Sequence, residues 1–314
     1  MILYMVKRTA LGIVIIMLAV TLLYLMIHAV PGDPATVMLG PQATPELIAA
    51  MEQRMGLDKP LPVQVVSFFG RVLSGDLGVD VFVERPVAET IFGVLPYTLI
   101  LVAAGMSWAL LLGVPLGVYS ATHPDSWMDK VAGVSSVAFI AMPPFVVGLF
   151  ALLLFAVTLG WFPVIGGGQE KGWLGQLHHL VLPAFAVGLG WVGYLARLVR
   201  ASMLEVLAEN HVRHTRAHGL PHNVILYRYV LRIAILPAVT IIGIGIGAML
   251  SGVVFAEIIF ARPGLGKLIF VAVQQRNFPL IMGTVLVTTT LFVIATTLSD
   301  ILNALLDPRI RSRL

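Results

Sequence analysis

Cysteine is missing from all 314 residues, which excludes disulfides, thiolate metal sites and thiol nucleophiles. Charge is scarce too. Asp, Glu, Lys and Arg supply 11% of the chain and apolar residues 58%, whereas soluble domains carry roughly 25% and 45–50%. So little charge cannot coat a water-soluble fold of this length, and the sequence reads as an integral membrane protein. Catalytic motifs are lacking as well: there is no H-E-x-x-H zinc pair and no G-x-S-x-G nucleophile turn. Pro263-Gly264-Leu265-Gly266-Lys267-Leu268 ends like a phosphate-binding loop, but Ala261 stands where its first Gly belongs and Leu268 where a Ser or Thr belongs. Nucleotide binding by this chain is therefore set aside.

What is present is a series of long uncharged runs. Lys7-Arg8 precede the first, Thr9 to Pro31, which is longer than the roughly 7–15 residues of a signal-peptide core and reads as an uncleaved span. Residues 32 to 93 hold eight of the sixteen acidic residues and cannot cross. There Thr44-Pro45-Glu46 resembles a helix start, with Leu47, Ile48, Met51 and Met55 on one face, and Pro62 to Leu73 is a second amphipathic piece before Ser74-Gly75. Further runs follow at Val94 to Ala121, Val131 to Gly168, His178 to Ala196, Ile233 to Ala256 and Pro279 to Ser299. Splitting the Val131 run at Pro143-Pro144 leaves a half too short to cross, so one kinked span is expected.

Six spans put both termini on one side. With the N-terminus inside, the cytoplasmic set is Lys7, Arg8, Lys130, Arg197, Arg200, Arg213, Arg216, Arg228, Arg232, Arg309, Arg311 and Arg313, twelve residues. The opposite set has eight, four of them in the long 32 to 93 segment that weighs little in the positive-inside rule. The polar stretch at 197 to 232 is thus cytoplasmic.

Several features have a plain reading beside a functional one. Gly243, Gly247 and Ser251 recur at four-residue intervals in the fifth span, a spacing that favours close helix packing over pore lining. His178-His179 point to different helix faces and suit the interface better than a metal, and His28 is an interface residue. Glu257 at the outer end of the fifth span is either solvated or functional, and Asp300 shares that ambiguity. No metal ligand set emerges. The strongest signal is Glu209-Asn210-His211-Val212-Arg213-His214-Thr215-Arg216-Ala217-His218-Gly219-Leu220-Pro221. On charge alone it is a solvated loop able to bind anionic headgroups.

Order and spacing change that reading. Arg213-His214-Thr215-Arg216-Ala217-His218-Gly219-Leu220, followed by Leu231-Arg232-Ile233-Ala234-Ile235-Leu236-Pro237, resembles the EAA loop of membrane subunits of binding-protein-dependent ABC importers. Pro31-Gly32-Asp33-Pro34, Gly56-Leu57-Asp58-Lys59-Pro60, Gly75-Asp76-Leu77-Gly78, Arg85-Pro86-Val87, Arg200-Ala201-Ser202-Met203-Leu204-Glu205-Val206-Leu207, Glu257-Ile258-Ile259-Phe260, Pro263-Gly264-Leu265-Gly266 and Asp307-Pro308-Arg309-Ile310-Arg311 follow the order of the dipeptide, oligopeptide and nickel permease family. Departures are Arg213-His214-Thr215 at the Glu-Ala-Ala positions, Arg262 where Trp is frequent, Asn277 where Asp is common and Asp80 where Ser is usual.

The resemblance implies an all-α integral membrane protein with six transmembrane helices in the type I ABC importer permease fold. It divides as 1–31, an N-terminal transmembrane helix; 32–93, an extracytoplasmic helical subdomain; 94–304, a five-helix permease core; and 305–314, a cytoplasmic tail. The expected location is the bacterial cytoplasmic (inner) membrane. A helix of roughly Ala208 to His218, ended by Gly219, would dock into a separate ATPase, with Arg213 and Arg216 facing its carboxylates. Glu209, Arg213, His214, Thr215, Arg216, Ala217, His218, Gly219 and Leu220 form this ATPase-coupling loop, and Glu257 and Arg262 are candidates for a gate or outer-end contact. Implied partners are a second homologous permease, two ABC ATPase subunits or one dimer, an extracytoplasmic solute-binding protein and the lipid bilayer, with no nucleic acid. The chain itself would be no enzyme and bind no cofactor, ATP and Mg residing on partner subunits. Peptides are the expected cargo, with nickel or another metal chelate as the alternative. An ion-coupled secondary transporter is the reading from a different class.

Overall fold

The computed structural model describes residues 2–29, 36, 43–55 and 58–306; Pro31-Gly32-Asp33-Pro34, Gly56-Leu57 and the tail from Asp307 onward lie outside the described residues. Among these the regular elements are helices, with one isolated bridge between Val79 and Pro86. This is what hydrocarbon dictates, because every backbone N–H and C=O there must find its partner inside the segment.

The order is α1 (Ile2–Ala29), α2 (Pro45–Met55), α3 (Leu61–Leu73), α4 (Val87–Thr122), α5 (Trp127–Ala141), α6 (Pro144–Ala151) running into a π-helical turn (Leu152–Thr158), and α7 (Gly172–Leu207). Then come α8 (Asn210–Ala217), α9 (His222–Val224, continued through a π turn, Ile225–Val230, to Leu231–Ala234), α10 (Leu236–Ile259), α11 (Leu265–Gln274) and α12 (Phe278–Leu306). Among the described residues five helices are long and apolar enough to cross a membrane, and α5 with the Pro144–Thr158 arm makes a sixth only if that bent pair is one span.

A kinked span was expected there, and the bend between its arms is 104°. The cause is local: Met142 precedes a proline and is held extended (φ −81°, ψ 121°), as is Pro143 (φ −60°, ψ 140°), so two residues in series leave the helical region. Pro144 then sits harmlessly in the first turn of α6. α11 is an addition. Leu265, Leu268, Ile269 and Ala272 carry its apolar spacing, and the buried Thr98 hydroxyl accepts the Leu265 N–H at 2.8 Å.

The chain packs as two compact units. One is built on Leu99–Arg262 with the end of α12 from Ile294, and α7 is its axis. In the most apolar window of the 169–207 span 67% of the residues are buried, against 22% for α1, so α7 is surrounded by protein where α1 is not. Val192, Leu195, Val199, Met203 and Val206 of α7 form its main core with Ala109, Val118, Val212, Ile225 and Val230. The other unit is built on Val6–Thr98 with Pro263–Val293. Its cores join Val20, Tyr24 and Ile27 of α1 to Phe68, Met282 and Leu286, and Val87 and Ile91 to Leu265, Ala272 and Ile281.

Candidate functional site

At about 1.5 Å per residue, the 36 residues of α7 outrun a hydrocarbon core of roughly 30 Å, so its polar end, with Arg197, Arg200 and Glu205, is carried beyond the apolar layer. Glu209 then turns extended (φ −70°, ψ 151°) and α8 begins. The helix is shorter than the Ala208 to His218 expected, because Glu209 breaks from α7 before it and His218 falls at its cap. Glu209 does not cap α8 with its side chain; its carboxylate lies 2.9 Å from His211 Nδ1.

One residue pins α8. Val212 is fully buried and packs among Met203, Val206, Ile225, Leu226 and Val230, with half-buried Leu220 against the same cluster. Thr215 is half-buried and donates from Oγ1 to the Val212 carbonyl at 2.8 Å. Arg213, His214, Arg216, Ala217 and His218 are exposed, and the His214 and His218 rings stack edge-on 5.1 Å apart. The helix ends as expected at Gly219. Its φ of +73° is left-handed, where a Cβ is strained, and its N–H donates to the Arg216 carbonyl at 3.0 Å. The result is a short helix held by a single apolar peg, presenting two cations to solvent.

Within the same unit α4 packs closely on α7. On α4, Gly105, Ala109, Gly113 and Gly117 recur every fourth residue and face α7. A Cβ at Gly113 would lie 2.9 Å from the Val192 carbonyl oxygen, and one at Gly117 2.6 Å from that of Ala196. The same small-residue spacing that singles out α10 identifies this stripe, and sequence reading passed over it. Asp129 and Arg200, joining α5 to α7, were missed as a pair because 71 residues separate them.

On α10, Gly243 and Gly247 are buried and Ser251 is exposed. A Cβ on Gly243 would collide with the Ser299 side chain, and one on Gly245, off the stripe, would lie 2.8 Å from Trp191. Glu257 and Arg262 are 0% and 1% exposed, so of the two readings of Glu257, solvated or functional, the solvated one is corrected: the residue is enclosed, and the backbone N–H of Arg262 donates to its carbonyl at 2.9 Å. Two other unusual positions meet. Asn277 Nδ2 donates to Asp80 Oδ1 at 2.9 Å, and that oxygen also accepts the Phe82 and Val83 N–H groups at 2.9 and 3.1 Å. His178 and His179 each contact a backbone carbonyl, of Trp161 and Gly175, at 3.0 and 2.8 Å. His28 lies between the Tyr24 carbonyl and Gln64 Nε2. Among the described residues no group of three or more His, Cys, Asp or Glu is placed to hold a metal.

Residues 113–312 match the family described as the binding-protein-dependent transport system inner membrane component, and residues 1–102 match its N-terminal companion family. The glutathione transport system permease protein GsiC of Salmonella typhimurium is 34% identical over 308 residues, 98% of each chain. The dipeptide transport system permease protein DppB of Alkalihalophilus pseudofirmus is 33% identical, covering 99% of this chain and all of that one. The oligopeptide transport system permease protein AppB of Bacillus subtilis is 36% identical over 98% of each. In fold, the chain is similar to an inward-facing structure of the MetNI methionine ABC transporter, with a TM-score of 0.54 at 18% identity over 69% of this chain and 96% of that one.

Proposed function

This chain belongs to the family of inner membrane components of binding-protein-dependent transport systems, and on that premise we propose that it forms half of the pathway of an ATP-driven importer of short peptides. Its work is transport and involves no covalent chemistry. The other half of the pathway is a second, similar permease; two ATPase subunits lie on the cytoplasmic side and a solute-binding protein delivers cargo outside. Both termini face the cytoplasm of a bacterial inner membrane. Short peptides are the cargo class shared by the names of the glutathione, dipeptide and oligopeptide relatives.

The observation behind the coupling is α8. Its buried Val212 ties it to the end of α7 while Arg213 and Arg216 stand in solvent, so a partner that seats the exposed face moves the axis of the larger unit. Closure of the ATPases on ATP pushes α8 one way and hydrolysis releases it, and the helices behind it alternate between two packings.

The test is uptake into proteoliposomes holding this chain with its partner permease and ATPases, and the binding protein outside. Wild type is expected to accumulate labelled dipeptide only with ATP. Reversing both charges, Arg213→Glu with Arg216→Glu, is expected to lower uptake about ten-fold or more through electrostatic mismatch with the ATPase, with the ATPase lost on copurification. Uptake driven by an ion gradient in the lone chain would sink the proposal.

A further inference from the structure

Asp129 and Arg200 meet where α4, α5 and α7 come together. Arg200 Nε donates to Oδ1 at 2.7 Å and Nη2 to Oδ2 at 2.8 Å, and Asp129 is only 6% exposed. Oδ2 also accepts the Asp125 N–H at 3.1 Å, and Ser120 of α4 donates to the same carboxylate. A planar guanidinium engaged at two atoms resists rotation as well as separation. A second attachment lies seven residues along each helix, on the same faces. There Gly193 of α7 meets the Ser136 backbone of α5 so closely that a Cβ would lie 2.6 Å from the Ser136 carbonyl oxygen. Two attachments about 10 Å apart hold α5 against pivoting on α7.

The ends of these helices give the pair a task. α7 leads through two residues into α8, and α5 ends at the Met142-Pro143 break, beyond which the next arm is bent by 104°. α5 thus turns sharply from its successor, whose Val147 and Ala151 cluster with Leu182, Ala186 and Leu189 of α7, and is itself fastened to α7 through the pair. We propose that the Asp129–Arg200 pair is a strut that makes α5 and α7 one rigid body, delivering displacement of α8 to the broken span at Met142. Both are positioning residues, and the proposal rests on the coupling reading above.

In the assembled transporter, Asp129→Asn and Arg200→Lys, the latter keeping charge but losing the two-point grip, are expected to lower peptide taken up per ATP hydrolysed about ten-fold. The exchanged pair, Asp129→Arg with Arg200→Asp, recovers most of it, which a loss of folding would not. The absence of cysteine allows a direct measure as well. Spin labels at Val134→Cys and Arg197→Cys, both exposed positions, should keep their separation within about 2 Å with and without ATP, below the helix shifts of a typical transition. Single variants as tightly coupled as wild type, or labels that move apart on ATP, overturn the strut. If wild type itself shows no ATP-driven uptake, it is the coupling reading that fails, and the label distance still reports on the pair.

Discussion

Gly105, Ala109, Gly113 and Gly117 on α4 and Gly243, Gly247 and Ser251 on α10 obey one spacing rule, yet the fold uses them differently. The α4 stripe lies against backbone: the Val192 and Ala196 carbonyls stand where Cβ atoms would go. On α10 Gly243 is met by the Ser299 side chain, Gly245 from between the stripe positions receives Trp191, and Ser251 is exposed. Spacing makes close approach available; the neighbour decides whether it happens and what must yield to undo it. Neither a carbonyl oxygen nor Ser299 Cβ is moved by a rotamer change, so both clashes ask a helix to shift; the difference is that the Ser299 side chain can be deleted and the Ala196 carbonyl cannot.

That contrast orders three outcomes. Gly117→Val should be the most damaging, about 3 kcal/mol or more, since the Ala196 backbone cannot step aside in a packed interior; a melting curve in detergent within a degree or two of wild type would refute the contact. Gly243→Ala should cost about 1–2 kcal/mol, and adding Ser299→Gly should restore most of it, as read from a double-mutant cycle of thermal unfolding. Ser251→Leu should change the stability of the isolated chain by less than about 0.5 kcal/mol. A larger loss would mean that flank is covered within the chain, and the two stripes would be alike after all.

The helix proposed to couple, α8, was legible because its end signal is local: a Gly219 suited to the left-handed cap acts within one helical turn. Even so its ends moved inward, since the extended Glu209 backbone is a choice between two helices and not a propensity. The break at Met142 was half legible: Pro143-Pro144 announced a bend, but length arithmetic cannot distinguish a kink from a 104° turn. Asp80 with Asn277, and Asp129 with Arg200, were invisible as pairs, 197 and 71 residues apart. The enclosure of Glu257 was missed for a related reason, because a charge beside an apolar run looks the same whether water or protein lies next to it.

What the sequence determined by itself is that the chain crosses a membrane as helices, how many runs are able to do so, and that a basic, glycine-ended segment projects between two of them. Hydrocarbon permits no other backbone, and scarcity of charge leaves no other solvent. Which helix became the axis, which stripe closed on which neighbour and which charges were enclosed were decided only by the tertiary structure. Lipid is as apolar as the side chains, so hydrophobicity gives these helices no inward direction, and packing with paired polar groups must supply it.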